Sequence, residues 1–173
     1  MTVGQIVAIG FALLLAVLII RQRFSLRALL ASDKLIGLDA EDLAEQGIGA
    51  AYSNLLPRLK QYVAEPAPLE EIVDSERGSY AIRCNGQEYQ IYSGDDAHNG
   101  HESWARATYY LFKLVNDQLA GTDVRFYALY GGNDLAGVFL TPGQAKSEAA
   151  ALPRKTDSPY IPELKAPWYG QPH

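Results

Sequence analysis

The chain has 173 residues, with 15 Lys and Arg against 20 Asp and Glu and a formal net charge of −5. That balance, with no basic stripe along the chain, excludes nucleic acid as a partner class. The single cysteine, Cys84, excludes an internal disulfide framework and suits a reducing compartment.

Residues 1–20 are expected to form a transmembrane helix. From Val3 to Ile20 the chain reads VGQIVAIGFALLLAVLII, with no charge and one polar side chain, Gln5. A run of this length can cross a bilayer core as a helix. It is apolar on all sides, which argues against a helix buried in a globular core. A cleaved secretory signal needs a positive leading region and a small-residue cleavage site. MTVGQ and RQRFSLR supply neither. Arg21, Arg23 and Arg27 follow the run and no Lys or Arg precedes it. Positive flanks stay in the cytoplasm, so the expected layout is a bacterial-type, single-pass inner-membrane protein with its N-terminus out and its C-terminal domain cytoplasmic.

Gly4, Ala8, Ala12 and Ala16 recur every four residues. Four residues advance a helix by about 400°, so they share one face. Such a stripe lets another helix approach closely, either from a different membrane protein or from a second copy. The same residues are also ordinary membrane-helix composition.

Residues 21–36 read as a juxtamembrane segment. Phe24, Leu26, Leu29 and Leu30 suit an interfacial helix, and a plain linker fits equally well. Residues 37–152 are expected to form a cytoplasmic α+β domain. Its first helix opens at Asp39, a capping residue followed by Glu41 and Asp42, with Leu38 and Leu43 at staple positions. It extends to about Ala64, with Tyr52, Leu55, Leu59, Tyr62 and Val63 on one face. Gly47, Gly49 and Pro57 predict a kink or two short helices. Residues 65–71 read as a connector.

SYAIRC and QEYQIYS flank Asn85-Gly86, the pair that a two-residue turn with positive φ at both positions requires. Counting outward from this turn sets Arg83 opposite Glu88, Ile82 opposite Tyr89 and Tyr80 opposite Ile91, with Cys84 on the apolar face. A helix over 101–120 follows, with Trp104, Ala107, Thr108, Leu111, Phe112, Val115 and Leu119 in one stripe and Gly121 as its stop. DVRFYALY and LAGVFLT are apolar on both faces and are expected to be central, covered strands around the turn GGND, residues 131–134. Thr141-Pro142 then starts a short helix. The order α-ββ-α-ββ-α predicts a four-stranded antiparallel sheet, two hairpins packed on helices. Residues 153–173 form a Pro-rich extended tail. Its Tyr160, Ile161, Trp168 and Tyr169 predict packing on the chain's own domain or on a partner, and the own domain is preferred because intramolecular docking costs less entropy.

The most suggestive polar cluster is SGDDAHNGHES, where Asp95, Asp96, His98, His101 and Glu102 gather before a helix. Carboxylate and imidazole are metal ligands. The spacing matches no defined metal motif, however, and a helix-capping loop explains the same residues. GGND lacks the Lys and the following helix of a phosphate loop. No nucleophile elbow, readable triad or dinucleotide fingerprint is present. The sequence therefore assigns no catalytic residue and no cofactor. It reads as a membrane-anchored binding or assembly subunit that holds a protein partner at the cytoplasmic face. The alternatives are a membrane-tethered metal-dependent hydrolase using the 95–102 cluster, and a membrane-associated toxin-immunity protein.

Overall fold

The computed structural model describes residues 34–94, 100–152 and 157–165. The expected membrane helix and its stripe, Gly4, Ala8, Ala12 and Ala16, lie outside these residues. Among the described residues, no helix is long and apolar enough to cross a membrane.

The elements run β1 (Ile36–Gly37), α1 (Ala40–Glu45), α2 (Ile48–Leu59), β2 (Leu69–Asp74), β3 (Ser79–Cys84), β4 (Gln87–Tyr92), α3 (Gly100–Gln118), β5 (Arg125–Leu129), β6 (Ala136–Leu140) and α4 (Pro142–Ala151). A 3-10 turn at Gly132–Asp134 joins β5 to β6. The fold is α+β, but the four-stranded sheet is corrected to two three-stranded antiparallel sheets, ordered β2-β3-β4 and β1-β6-β5. Each expected hairpin recruits a third strand from a segment read as connector or juxtamembrane chain. β2 takes up Leu69–Glu71, and β1 pairs Ile36 with Gly137.

Local chemistry accounts for most boundaries. Asp39 caps α1 by accepting from the N–H groups of Glu41 (2.9 Å) and Asp42 (3.3 Å). Thr141 and Gln144 form a complete capping box at α4, with Pro142 in its first turn. The first helical stretch is two short helices, one of the two outcomes that Gly47, Gly49 and Pro57 predict, broken at Gly47, whose φ is +99°. Pro57 sits inside α2, and the helix ends two residues later.

The β3–β4 turn has φ of +51° at Asn85 and +75° at Gly86. Arg83 faces Glu88 and Ile82 faces Tyr89, as counted from the turn. An irregularity between Tyr80 and Ala81 shifts the register, so Tyr80 faces Tyr92 and not Ile91.

Helix α3 lies between the sheets, against β4 on one side and β5 on the other. Its Leu111, Phe112 and Val115, and Leu119 just past its end, are fully buried. Phe112 stacks on Phe126 of β5 at 4.6 Å between ring centroids, and Phe126 meets Phe139 of β6 at 4.7 Å. This core also takes Leu43, Ile48, Leu55 and Leu59 from α1 and α2, and Ile82 and Ile91 from the other sheet. A second cluster of Leu129, Val138, Leu140 and Ala145 lies between the far face of the β5–β6 pair and α4. Helices therefore cover both faces of that sheet, in keeping with strands that are apolar on both faces. The helix between the two hairpins packs against both β4 and β5, and the hairpins belong to separate sheets.

Candidate binding surfaces

Of the sequence-selected cluster, Asp95, Asp96 and His98 lie outside the described residues. His101 falls in the first turn of α3 by its backbone. Glu102 forms an i,i+4 ion pair with Arg106 at 3.6 Å. Among the described residues, no group of three or more His, Cys, Asp or Glu side chains could hold a metal. Cys84 is buried, and burial raises its thiol pKa, assisted by the charge of Asp117. It packs as a small apolar side chain.

Polar constellations that the sequence did not reveal appear where chain-distant elements meet. Glu71 of β2 reaches the start of α2. Its Oε1 accepts from the Gly49 N–H at 3.0 Å and from the Tyr80 hydroxyl at 2.6 Å, while the Tyr80 oxygen accepts from the Ile48 N–H at 2.7 Å. These two side chains satisfy donors that a helix start leaves without intrahelical partners. A Cβ at Gly47 or Gly49 would stand 2.3 or 2.2 Å from a Glu71 oxygen, so both glycines make room for the carboxylate. Burial and the Glu71 hydrogen bond raise the Tyr80 pKa, keeping the phenol protonated as a donor. Gln118 at the end of α3 makes a comparable junction. Its Oε1 accepts from the Ala67 N–H at 2.7 Å, and its Nε2 donates to Tyr52 and to the Leu114 carbonyl, each at 3.1 Å.

The outer edge of β5 is occupied in two ways. The Asn116 side-chain amide serves Phe126 on both sides, accepting from its N–H at 2.8 Å and donating to its carbonyl at 2.9 Å. Tyr160 from the tail forms a backbone bridge with Ala128, with N···O distances of 2.7 and 3.0 Å, and its hydroxyl donates to the Tyr130 carbonyl at 2.7 Å. The tail therefore docks on the domain at this point, and burial pushes the Tyr160 pKa up to about 12. Pro159 and Pro162 flank the bridge and limit strand pairing to it. The exposed faces of this strap present Ile161 and Leu164.

A third surface lies where the described chain begins. Lys34, Arg58, Gln61, Tyr62, Phe139 and Gln144 line a cavity of about 360 Å³. The Tyr62 ring sits 5.2 Å from Phe139 and forms part of its apolar wall. No carboxylate is among the described residues that line it. No family model, no curated protein and no solved structure matches this chain.

Proposed function

We propose that this chain is a single-pass, membrane-anchored binding or assembly subunit, with its folded domain at the cytoplasmic face of an inner membrane. The carrying observation is the uncharged run Val3–Ile20 followed by Arg21, Arg23 and Arg27. The position of β1 supports the reading. Ile36 and Gly37 pair with the central strand β6 only sixteen residues after Ile20. At about 3.4 Å per extended residue, that stretch cannot exceed roughly 55 Å. A protein partner gripped by the domain would be held close to the bilayer, and the stripe Gly4, Ala8, Ala12 and Ala16 would add a contact to a second membrane helix.

Alkaline carbonate extraction and reporter fusions at the C-terminus test the anchor and its orientation. The expected outcome is extraction resistance with a cytoplasmic reporter signal. A C-terminal tag cut by protease from the outer side would reverse the topology. For the stripe, Ala8→Leu with Ala12→Leu keeps the run apolar while adding bulk, so it should weaken self-association or co-purification of a membrane partner by about tenfold, the equivalent of about 1.4 kcal/mol.

A further inference from the structure

We infer that the outer edge of β5 at Ala128 is a strand-addition seat for an extended protein segment with the pattern Tyr-x-Pro. The chain's own strap, residues 157–165, holds that seat in cis until a partner's segment displaces it. The inference deepens the binding-subunit reading and rests on it for there being a partner.

β5 is an edge strand, paired with β6 on one side only. Its alternate residues Phe126 and Ala128 turn their N–H and C=O groups to the other side, where Asn116 and Tyr160 meet them. The two positions are closed in different ways. Phe126 is closed from within the domain, by a side chain of α3, the helix that fills the core. Ala128 is closed by the backbone of one tail residue. Its N–H donates to the Tyr160 carbonyl at 2.7 Å, and its carbonyl accepts from the Tyr160 N–H at 3.0 Å. The first closure can move only with the core, whereas the second can open while the rest of the fold stands.

The grip of the strap is narrow. Among the described residues, three hydrogen bonds tie it to β5 and the turn beyond, and all three are made by Tyr160. Ile161, Glu163, Leu164 and Lys165 are exposed. The seat therefore asks little of its occupant, and what it asks is specific. It pairs with the backbone of a single extended residue, so a proline close on either side costs no ladder bond. The Tyr130 carbonyl, 2.7 Å from the Tyr160 hydroxyl, can only accept, so it selects a phenol over a plain ring. The Tyr160 ring packs on the main core, and Pro162 is buried two residues on. Tyr130 itself has φ of +60°, a left-handed backbone that residues other than glycine seldom adopt. Strain of this kind gathers at ligand clamps, and here it lies where the hydroxyl is received.

The test is fluorescence anisotropy of a labelled, capped peptide, DSPYIPELK, titrated with the full chain in maltoside micelles. The peptide stands in for the partner's segment. Tyr160→Ala frees the seat, so this variant should bind the peptide saturably and at least about tenfold more tightly than the unaltered chain, whose seat is taken. A peptide with phenylalanine for tyrosine should bind it about two- to tenfold more weakly, and one N-methylated at the tyrosine, which loses the donor to Ala128, about tenfold more weakly. Thermal midpoints report folding separately. If Tyr160→Ala does not fold, Tyr160→Phe keeps the ring and gives the graded result, binding more tightly than the unaltered chain. No saturable binding, equal binding by the unaltered and variant chains, or indifference to N-methylation overturns the inference. Self-association of the unaltered chain that is lost in Tyr160→Ala assigns the seat to the tail of a second copy and overturns a separate partner. Carbonate extraction reports on the anchor independently, so loss of the anchor and loss of this seat give different results.

Discussion

The two sheets use opposite solutions to the same problem. In β2-β3-β4, one face carries the core residues Ile82, Tyr89 and Ile91, and the other carries Arg83 between Glu70 at 3.0 Å and Glu88 at 2.8 Å. The ion pairs leave that face accessible to water. In β1-β6-β5, Phe126 and Ala128 point to the main core, while Leu129, Val138 and Leu140 point to the second cluster, and all are buried. The first sheet is an alternating, half-wet sheet held by its turn and register. The second is covered on both faces and held by what packs on it. Stability should concentrate in the second sheet and tolerance in the first.

The largest expected break is Phe126→Ala. Its ring is fully buried between Phe112 and Phe139, and Gly137 leaves the room it occupies, since a Cβ there would meet the ring at 2.1 Å. Chemical denaturation should show a loss of about 3–5 kcal/mol. Next comes Glu71→Ala, which removes the joint between β2 and the start of α2. A loss of about 1–2 kcal/mol is expected, with Glu71→Gln milder because an amide oxygen can still accept from Gly49.

A smaller change of opposite sign sharpens the contrast. Thr108 is buried on α3, and its Oγ1 has no hydrogen-bond partner among the described residues. Thr108→Val keeps the shape and removes the unpaired hydroxyl, so stability should rise by about 1 kcal/mol in the same assay.

Tyr160→Phe should cost about 0.5–1.5 kcal/mol by removing the hydroxyl bond to Tyr130. It also carries a pH signature. The folded Tyr160 pKa of about 12 lies above the ordinary 10.0, so the unfolded chain loses its proton first. The stabilisation is complete below pH 10 and lost as pH rises from about 10 to 12. Urea midpoints over that window should fall less steeply in the Phe variant, with Tyr80 contributing in the same direction in both. The smallest effect is expected for Arg83→Ala, whose side chain is exposed between its two carboxylates. A melting transition displaced as far as that of Glu71→Ala would overturn the contrast between the sheets.

What the sequence determined by itself is short in range. The Asn85-Gly86 turn, the Asp39 and Thr141 caps, the apolar stripe of α3 and the pairing of Arg83 with Glu88 each depend on residues within a few positions of one another, or on a period set by backbone geometry. Tertiary structure decided the rest. Leu69–Asp74 carries three carboxylates and follows two prolines, so its composition reads as connector, yet an edge strand tolerates charges that face solvent. Two residues at Ile36–Gly37 make a strand only because β6 stands beside them. Gly47 and Gly49 look like helix defects until Glu71, 22 residues beyond Gly49, comes to lie against them. The same holds for Lys34, Arg58 and Gln144, which are unremarkable along the chain and form one cavity in the fold. Local propensity cannot encode such meetings, because their energy exists only once the core has brought distant segments into contact.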